Sequence, residues 1–331
     1  MKFTQSIIMA LILLLSIFLI GCTTEQTQEE LTSVDVHLKY FHQAQFAGNY
    51  VAKEQGFYAE ENLDVNLVPF SPESQPIFQV TVGEADFGIT GANELILARA
   101  EGKPLKAIAV IYKISPISLY SLKESGITSP QDFIGKNVGL EGTPDVKLVY
   151  ELMMKKMDID RSKINEIEIG FDASQLLAGE TDVSSGYVIN EPYQVIEAGK
   201  EVNIIFPAEY GVNMYADVLF TTENMIENNP ELVEGFVSAT LEGWQYAIEH
   251  EEEAVDHTLK YSPDLSRAHQ TYMLHQTIPL IHTGNEHLGL MTEAAWGNIY
   301  EILLGESLVT KLDINEVYTN EFVEKAYAKE R

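Results

Sequence analysis

Three turns in this chain place small, polar and acidic residues where a small molecule would be held. The first reads Phe87-Gly88-Ile89-Thr90-Gly91-Ala92-Asn93, a strand-like run ending in Thr90 and Asn93 around a glycine that lets another group come close. In the second, Glu141-Gly142-Thr143-Pro144-Asp145, Thr143 suits a helix N-cap and Pro144 the first helical position. The third, Tyr187-Val188-Ile189-Asn190-Glu191-Pro192-Tyr193, again sets Asn190 and Glu191 before a helix-starting proline. In open α/β sheets ligands collect at the carboxyl ends of strands, where helix N-termini offer unsatisfied N–H groups and partial positive charge. Glu191 beside Tyr187 and Tyr193 is a carboxylate near flat rings, and a buried charge needs a partner such as an amide-like or amidine-like donor. Upstream, Tyr40-Phe41-His42-Gln43-Ala44-Gln45-Phe46 adds more rings and neutral hydrogen-bonding groups. The candidate ligand contacts are therefore Phe41, Gln43, Gln45, Phe46, Thr90, Asn93, Glu141, Tyr187, Asn190 and Glu191. Each turn also reads as an ordinary capped helix start, and the aromatics as core between two lobes; the residues alone leave both open.

The elements that must position these turns alternate strand and helix. Val34–Tyr40, a helix through Gly48–Glu54, and Leu63–Pro69 make a βαβ opening. Further strands are expected at Phe87–Thr90, Ala107–Tyr112, Asn137–Leu140, Ile167–Ile169, Val183–Val188, Val202–Phe206 and Asp217–Thr221. Helical stretches separate most of them, notably Asp145–Met157 and Glu191–Ala198. This is an α/β pattern with mostly parallel sheets. After Thr222 the chain turns helical: Leu232, Val233, Phe236, Val237, Leu241, Trp244 and Ala247 recur at helical spacing within Asn229–His250.

Length and composition bound the rest. At 331 residues, the chain exceeds what one hydrophobic core usually holds, so two lobes are expected. With 45% hydrophobic and 10% aromatic residues it has the composition of a globule. Against 21 Lys and Arg stand 50 Asp and Glu, a net charge of −29 that repels nucleic acid and anionic lipid alike. At the N-terminus, Lys2 precedes the apolar run Ile7–Ile20, the length of a signal-peptide core and short of a bilayer span. It ends in Leu19-Ile20-Gly21-Cys22, which resembles the bacterial lipobox, and Cys22 is the only cysteine. A signal peptide over 1–21, an acyl-accepting Cys22 and a flexible tether over 22–33 are expected. That gives an extracytoplasmic protein anchored to the membrane without crossing it.

Five blocks carry a family resemblance. QAQFAGNYVAKEQGFYAEENLDV (Gln43–Val65), GEADFGI (Gly83–Ile89), GITSPQDFIGKNVG (Gly126–Gly139), GYVINEPYQ (Gly186–Gln194) and EYGVNMYADVLFTT (Glu209–Thr222) together resemble the substrate-binding lipoproteins of ABC importers. They are most similar to the branch that binds thiamine pyrimidine precursors, with riboflavin, nitrate and alkanesulfonate binders among its relatives. The resemblance implies a type II periplasmic-binding fold, two α/β lobes joined by two crossover strands with the ligand between them. One lobe would span 34–119 and 216–331, the other 120–215. It also implies a monomer that closes on its ligand and docks on a permease with a cytoplasmic ATPase. No cofactor and no metal is called for.

Charge narrows the ligand. Nitrate and sulfonate need strong donors, often Arg, yet Arg99, Arg161, Arg267 and Arg331 all lie outside the three turns. A neutral or weakly basic heterocycle fits better. For an aminopyrimidine, Glu191 would accept from the exocyclic amine while Tyr187 or Phe46 stacks on the ring, with Asn93, Gln43, Gln45 and Asn190 completing the polar shell. A flavin would use the same aromatic walls. Enzymatic readings lack their motifs: the cysteine-rich segment of the eukaryotic pyrimidine synthases, HExxH, Gly-x-Ser-x-Gly and the Walker pattern are all absent. Six of the eight histidines fall between His250 and His287, but Pro279 and Gly284 interrupt the helix a metal site there would need. An extracellular sensor presenting the same cleft to a receptor is the remaining non-transport alternative.

Overall fold

The structure, a computed structural model, describes residues 30–281, 284 and 287–329. The signal peptide and Cys22 lie outside the described residues. Alternation builds the opening unit. In β2 (Leu63–Val68), Leu63, Val65 and Leu67 turn inward while Asp64 and Asn66 face out. This strand pairs in parallel with β1 (Thr32–His37), and β1 pairs in parallel with β3 (Phe87–Thr90). The intervening helices are α1 (Ala47–Glu54) and α2 (Pro76–Val82), and α3 (Ala92–Ala100) follows β3. β4 (Leu105–Tyr112) closes the outer edge.

The chain then leaves this sheet. β5 (Ile117–Leu122), β6 (Asn137–Glu141), β7 (Asn165–Ile169), β8 (Val183–Tyr187) and β9 (Val202–Ile205) form a second sheet in the order β7-β6-β8-β5-β9. Helices α4 (Pro144–Lys156) and α5 (Glu191–Glu197) start at its strand ends. β10 (Ala216–Thr222) returns to the first sheet, whose order is β2-β1-β3-β10-β4.

Both sheets are mixed. The parallel share is smaller than the sequence pattern predicts, because the strands next to each crossing run backwards: β10 is antiparallel to β3 and β4, and β5 to β8 and β9. β5 itself is absent from the sequence expectation. Its Ile-Ser-Leu-Tyr-Ser-Leu run is buried over its first five positions, with Ser118 and Ser121 satisfied by backbone carbonyls of Gly186 (3.2 Å) and Ile127 (2.8 Å). The first passage between sheets therefore falls at 113–116, ahead of the expected 119/120 boundary, which lies inside β5.

The C-terminal part is helical: α6 (Pro230–Glu249), α7 (Glu251–Tyr261), α8 (Arg267–Ile281), α9 (Glu293–Gly305) and α10 (Glu321–Lys329). α8 runs through Pro279 for two further residues before it ends. α6 seats on α1 at close range. A side chain at Gly48 would stand 2.2 Å from the Trp244 ring, and one at Gly243 would stand 2.2 Å from the Gly48 carbonyl oxygen. One apolar cluster fills the space under the first sheet's helices, while a second joins Leu95 and Ile96 of α3, Met153 of α4 and Trp296 of α9. The halves are thus in contact, with their strand ends facing one another.

Candidate ligand-binding site

At the meeting of the two sheets lies a cleft of about 600 Å³, lined among others by Lys39, Phe70, Thr90, Asn93, Glu94 and Asp145. Two polar groupings lie at this junction; the first borders the cleft through Lys39, Glu94 and Asp145, and consecutive residues after β1, Lys39 and Tyr40, reach one each. Lys39 belongs to the first. Its ammonium lies 3.8 Å from Asp217 of β10. Burial alone would lower its pKa, but Tyr187, Asp217, Glu94 and Asp145 around it hold it well above the usual lysine range. Asp217 is 1% exposed, and its backbone sits in the left-handed region at φ 48°. Burial pushes its carboxyl up to about 6, opposed by Lys39 and by the Gln45 amide.

Contacts across the cleft close this grouping. Asn93 of α3 donates its amide to the Asp145 carboxylate of α4 at 2.6 Å. Burial raises Asp145, with Glu94 adding and Lys39 opposing. Glu94 caps its own helix, accepting from the Gly91 N–H at 3.1 Å and from the Thr90 hydroxyl. Tyr187, at the end of β8, brings its phenol among Lys39, Asp145, Asp217 and Glu94; burial pushes it up, Lys39 opposing and the three carboxylates adding.

The second grouping is acidic without a cation. Glu141, the last residue of β6, is 4% exposed, and its Oε1 has no hydrogen-bond partner among the described residues. Burial, then the neighbouring Glu191, pushes its carboxyl up to about 9, so at neutral pH it keeps its proton. Glu191 is 3% exposed and folds back on its own turn, accepting from the Tyr187 N–H at 2.6 Å and from the Asn190 amide at 2.5 Å. A side chain on Gly186 would stand 2.7 Å from Glu191 Oε2, so glycine there leaves room for this fold-back. Burial lifts Glu191 to about 7. From the first sheet, Tyr40 faces both acids and is pushed up to about 12 by burial, then by Glu191 and Glu141.

At the far end of the cleft, α8 meets the third turn. Tyr193 stacks on His269 with ring centres 4.7 Å apart and tilts against Tyr272 at 5.1 Å, and the Tyr272 hydroxyl donates to the Val188 carbonyl at 3.3 Å.

Most of the sequence candidates converge here, though not all as expected. Thr90, Asn93, Glu141, Tyr187, Asn190 and Glu191 stand at the junction. Phe46 does not stack in the cleft; it is 1% exposed within the first-sheet core. Phe41 is 57% exposed, its ring edge-on to Tyr40 at 5.2 Å and to Phe70 at 6.3 Å. Gln43 and Gln45 are linked to one another, Gln43 Nε2 donating to Gln45 Oε1 at 2.8 Å. Sequence reasoning passed over Lys39, Glu94, Asp145 and Asp217. A readable signal existed for Asp217, a carboxylate in the otherwise apolar and hydroxyl-bearing Ala216–Thr222 strand. Weighing arginines alone left Lys39 out.

Two mixed sheets with their strand ends opposed at a cleft define the type II periplasmic-binding fold. Solved structures agree: the aliphatic sulphonate binding protein SsuA of Escherichia coli superposes with a TM-score of 0.69 at 15% identity, over 86% of this chain and 91% of that one. A sulfonate-binding SsuA from Methylobacillus flagellatus gives 0.68 at 17% identity, over 91% and 95%. The chain belongs to the NMT1/THI5-like family, whose model matches residues 43–254. Among curated relatives, the riboflavin-binding protein RibY of Chloroflexus aurantiacus is 29% identical across 89% of this chain and 87% of its own. The formylaminopyrimidine-binding protein of Halalkalibacterium halodurans is 29% identical across 74% and 76%. A 4-amino-5-hydroxymethyl-2-methylpyrimidine phosphate synthase of Legionella pneumophila is 26% identical across 82% and 86%.

Proposed function

We propose that this protein is the substrate-binding component of an ABC import system, held outside the membrane by a lipid on Cys22, and that it captures an aminopyrimidine of the thiamine-precursor type. It binds and releases its ligand unchanged. Residues 31–112 with 216–329 form one jaw and 117–205 the other; closure over the ligand creates the form that docks on the permease.

The observation that carries this reading is the buried, unpartnered Oε1 of Glu141 at the carboxyl end of β6. A carboxyl that keeps its proton presents one donor and one acceptor side by side. The ring nitrogen and exocyclic amine of an aminopyrimidine are their complement. Glu191 beside Glu141 favours a weak base and disfavours an anion, and Lys39 is already engaged by Asp217, Glu94 and Asp145. A sulfonate or nitrate would meet no free cation in this grouping.

Native mass spectrometry of gently purified protein, followed by calorimetry with 4-amino-5-hydroxymethyl-2-methylpyrimidine, riboflavin and taurine, tests it. The aminopyrimidine binds and taurine does not. Glu141→Met, which keeps volume but loses both hydrogen bonds, weakens aminopyrimidine binding about 10- to 100-fold, the loss of roughly 1.5–3 kcal/mol. Unchanged affinity in that variant removes Glu141 from the site. Riboflavin is the second reading, favoured by a RibY similarity that spans nearly the whole chain; a yellow preparation would establish it. Conversion of the bound compound would instead mark an enzyme like the Legionella synthase.

A further inference from the structure

One histidine sits where the two jaws touch. His269 of α8, on the first jaw, lies flat against Tyr193 of α5, on the second, with ring centres 4.7 Å apart and planes inclined by 11°. Tyr272, one turn further along α8, tilts onto the same Tyr193 ring at 5.1 Å, and its hydroxyl donates to the Val188 carbonyl of the second jaw at 3.3 Å. Within this clasp His269 Nε2 is buried and has no hydrogen-bond partner among the described residues. A neutral imidazole tolerates that, because its one proton can sit on the other ring nitrogen. The imidazolium carries an N–H on both, so protonation aims a buried donor at nothing, a cost that disappears once the jaws part and water reaches the ring.

We propose that His269 is a pH-sensitive latch between the jaws: protonation of its ring releases Tyr193, so that acid favours the open form. The groups around it do not reverse this. Burial lowers the ring's pKa from its ordinary value, opposed by a hydrogen bond with the Asn190 backbone and by Glu197 of α5. On α8 itself, Tyr272 is pushed up by burial and stays neutral, and Arg267 is paired with Asp256 of α7. Stacking on Tyr193 offers a cation some compensation but gives Nε2 no acceptor. In the open form the exposed ring titrates near about 6.5, and in the closed form lower. Closure is therefore fully supported above about 6.5 and loses ground as pH falls below it. The latch acts at the jaw contact, apart from the ligand, and so goes beyond the reading of the cleft as an aminopyrimidine site.

Small-angle scattering of the ligand-free protein tests it. The radius of gyration should grow as pH is lowered from 7.5 to 5.5, and His269→Phe, which keeps a flat ring on Tyr193 without a titrating nitrogen, should remove most of that growth. Equal growth in both proteins, or none in wild type, overturns the latch. A second readout serves if H269F does not fold: by NMR the His269 ring proton should titrate below about 6.5 in wild type and move up toward it in Tyr193→Ala. A wild-type ring titrating at or above that value overturns the latch as well. Affinity for 4-amino-5-hydroxymethyl-2-methylpyrimidine, compared at the same two pH values, should fall several-fold further in wild type than in H269F. Failure of that compound to bind at either pH removes the assigned ligand, and the scattering comparison still decides the latch.

Discussion

At the residue scale, the carboxyls decide most of what this cleft does, and their protonation should be visible in stability. Glu141 keeps its proton to about 9 when folded, but gives it up near 4.3 in the unfolded chain. The folded state therefore binds more protons over that interval, and the contribution of Glu141 to stability falls as pH rises from about 4.3 to about 9. Glu191, lifted to about 7, acts in the same direction over a narrower window. Glu141→Gln should flatten the decline of the melting temperature between pH 6 and 9 and leave the protein at least as stable as wild type at pH 8. A steeper decline in the variant would contradict the assigned protonation. The sequence showed that Glu191 sits before a proline at a strand end, but not which way it turns. That depended on Gly186, whose missing side chain lets the carboxylate reach the Tyr187 N–H. Lys39 was harder still to read, since its partners come from four separate stretches of chain.

At the scale of elements, β-branched and apolar runs gave the strands and the Leu232–Ala247 pattern gave α6. Caps placed helix starts within a residue or two at Thr143 and Asn190. β5 was hidden because Ser118 and Ser121 read as polar positions; only tertiary hydrogen bonds to Gly186 and Ile127 make them acceptable inside. Phe46 misled for the opposite reason: an aromatic next to a candidate site is more often core. The α1–α6 seam is closely packed on two glycines, Gly48 and Gly243. Gly48→Ala would drive a methyl into the Trp244 ring and should cost about 1–3 kcal/mol of unfolding free energy, the usual range for overpacking. Chemical denaturation measures it, and a neutral result would mean that α6 yields without strain.

Across the whole molecule, contacts link the two sheets' halves beside the cleft: Asn93 to Asp145, Tyr187 among Lys39, Asp217 and Glu94, and Tyr193 against His269 and Tyr272. A bound ligand that touches both sides shifts the population toward this form. Small-angle scattering should show a smaller radius of gyration on saturation with the aminopyrimidine. Tyr193→Ala should make the ligand leave faster, because the α8 clasp no longer holds the second jaw. An unchanged radius in wild type would refute closure.

The threading of β10 between β3 and β4 also has a bearing on synthesis. Among the described residues β4 pairs with β10 as its one neighbouring strand, apart from isolated bridges to Gly289 and Tyr318, and β10 emerges only after every strand from β5 to β9. The inserted sheet, contiguous in sequence, can assemble on the ribosome while its host waits open at that edge. Nascent chains arrested so that residues up to 215 have just cleared the exit tunnel should carry a protease-resistant core from the 117–205 stretch beside a still cleavable β4. Full resistance should appear only once Thr222 has cleared the exit tunnel.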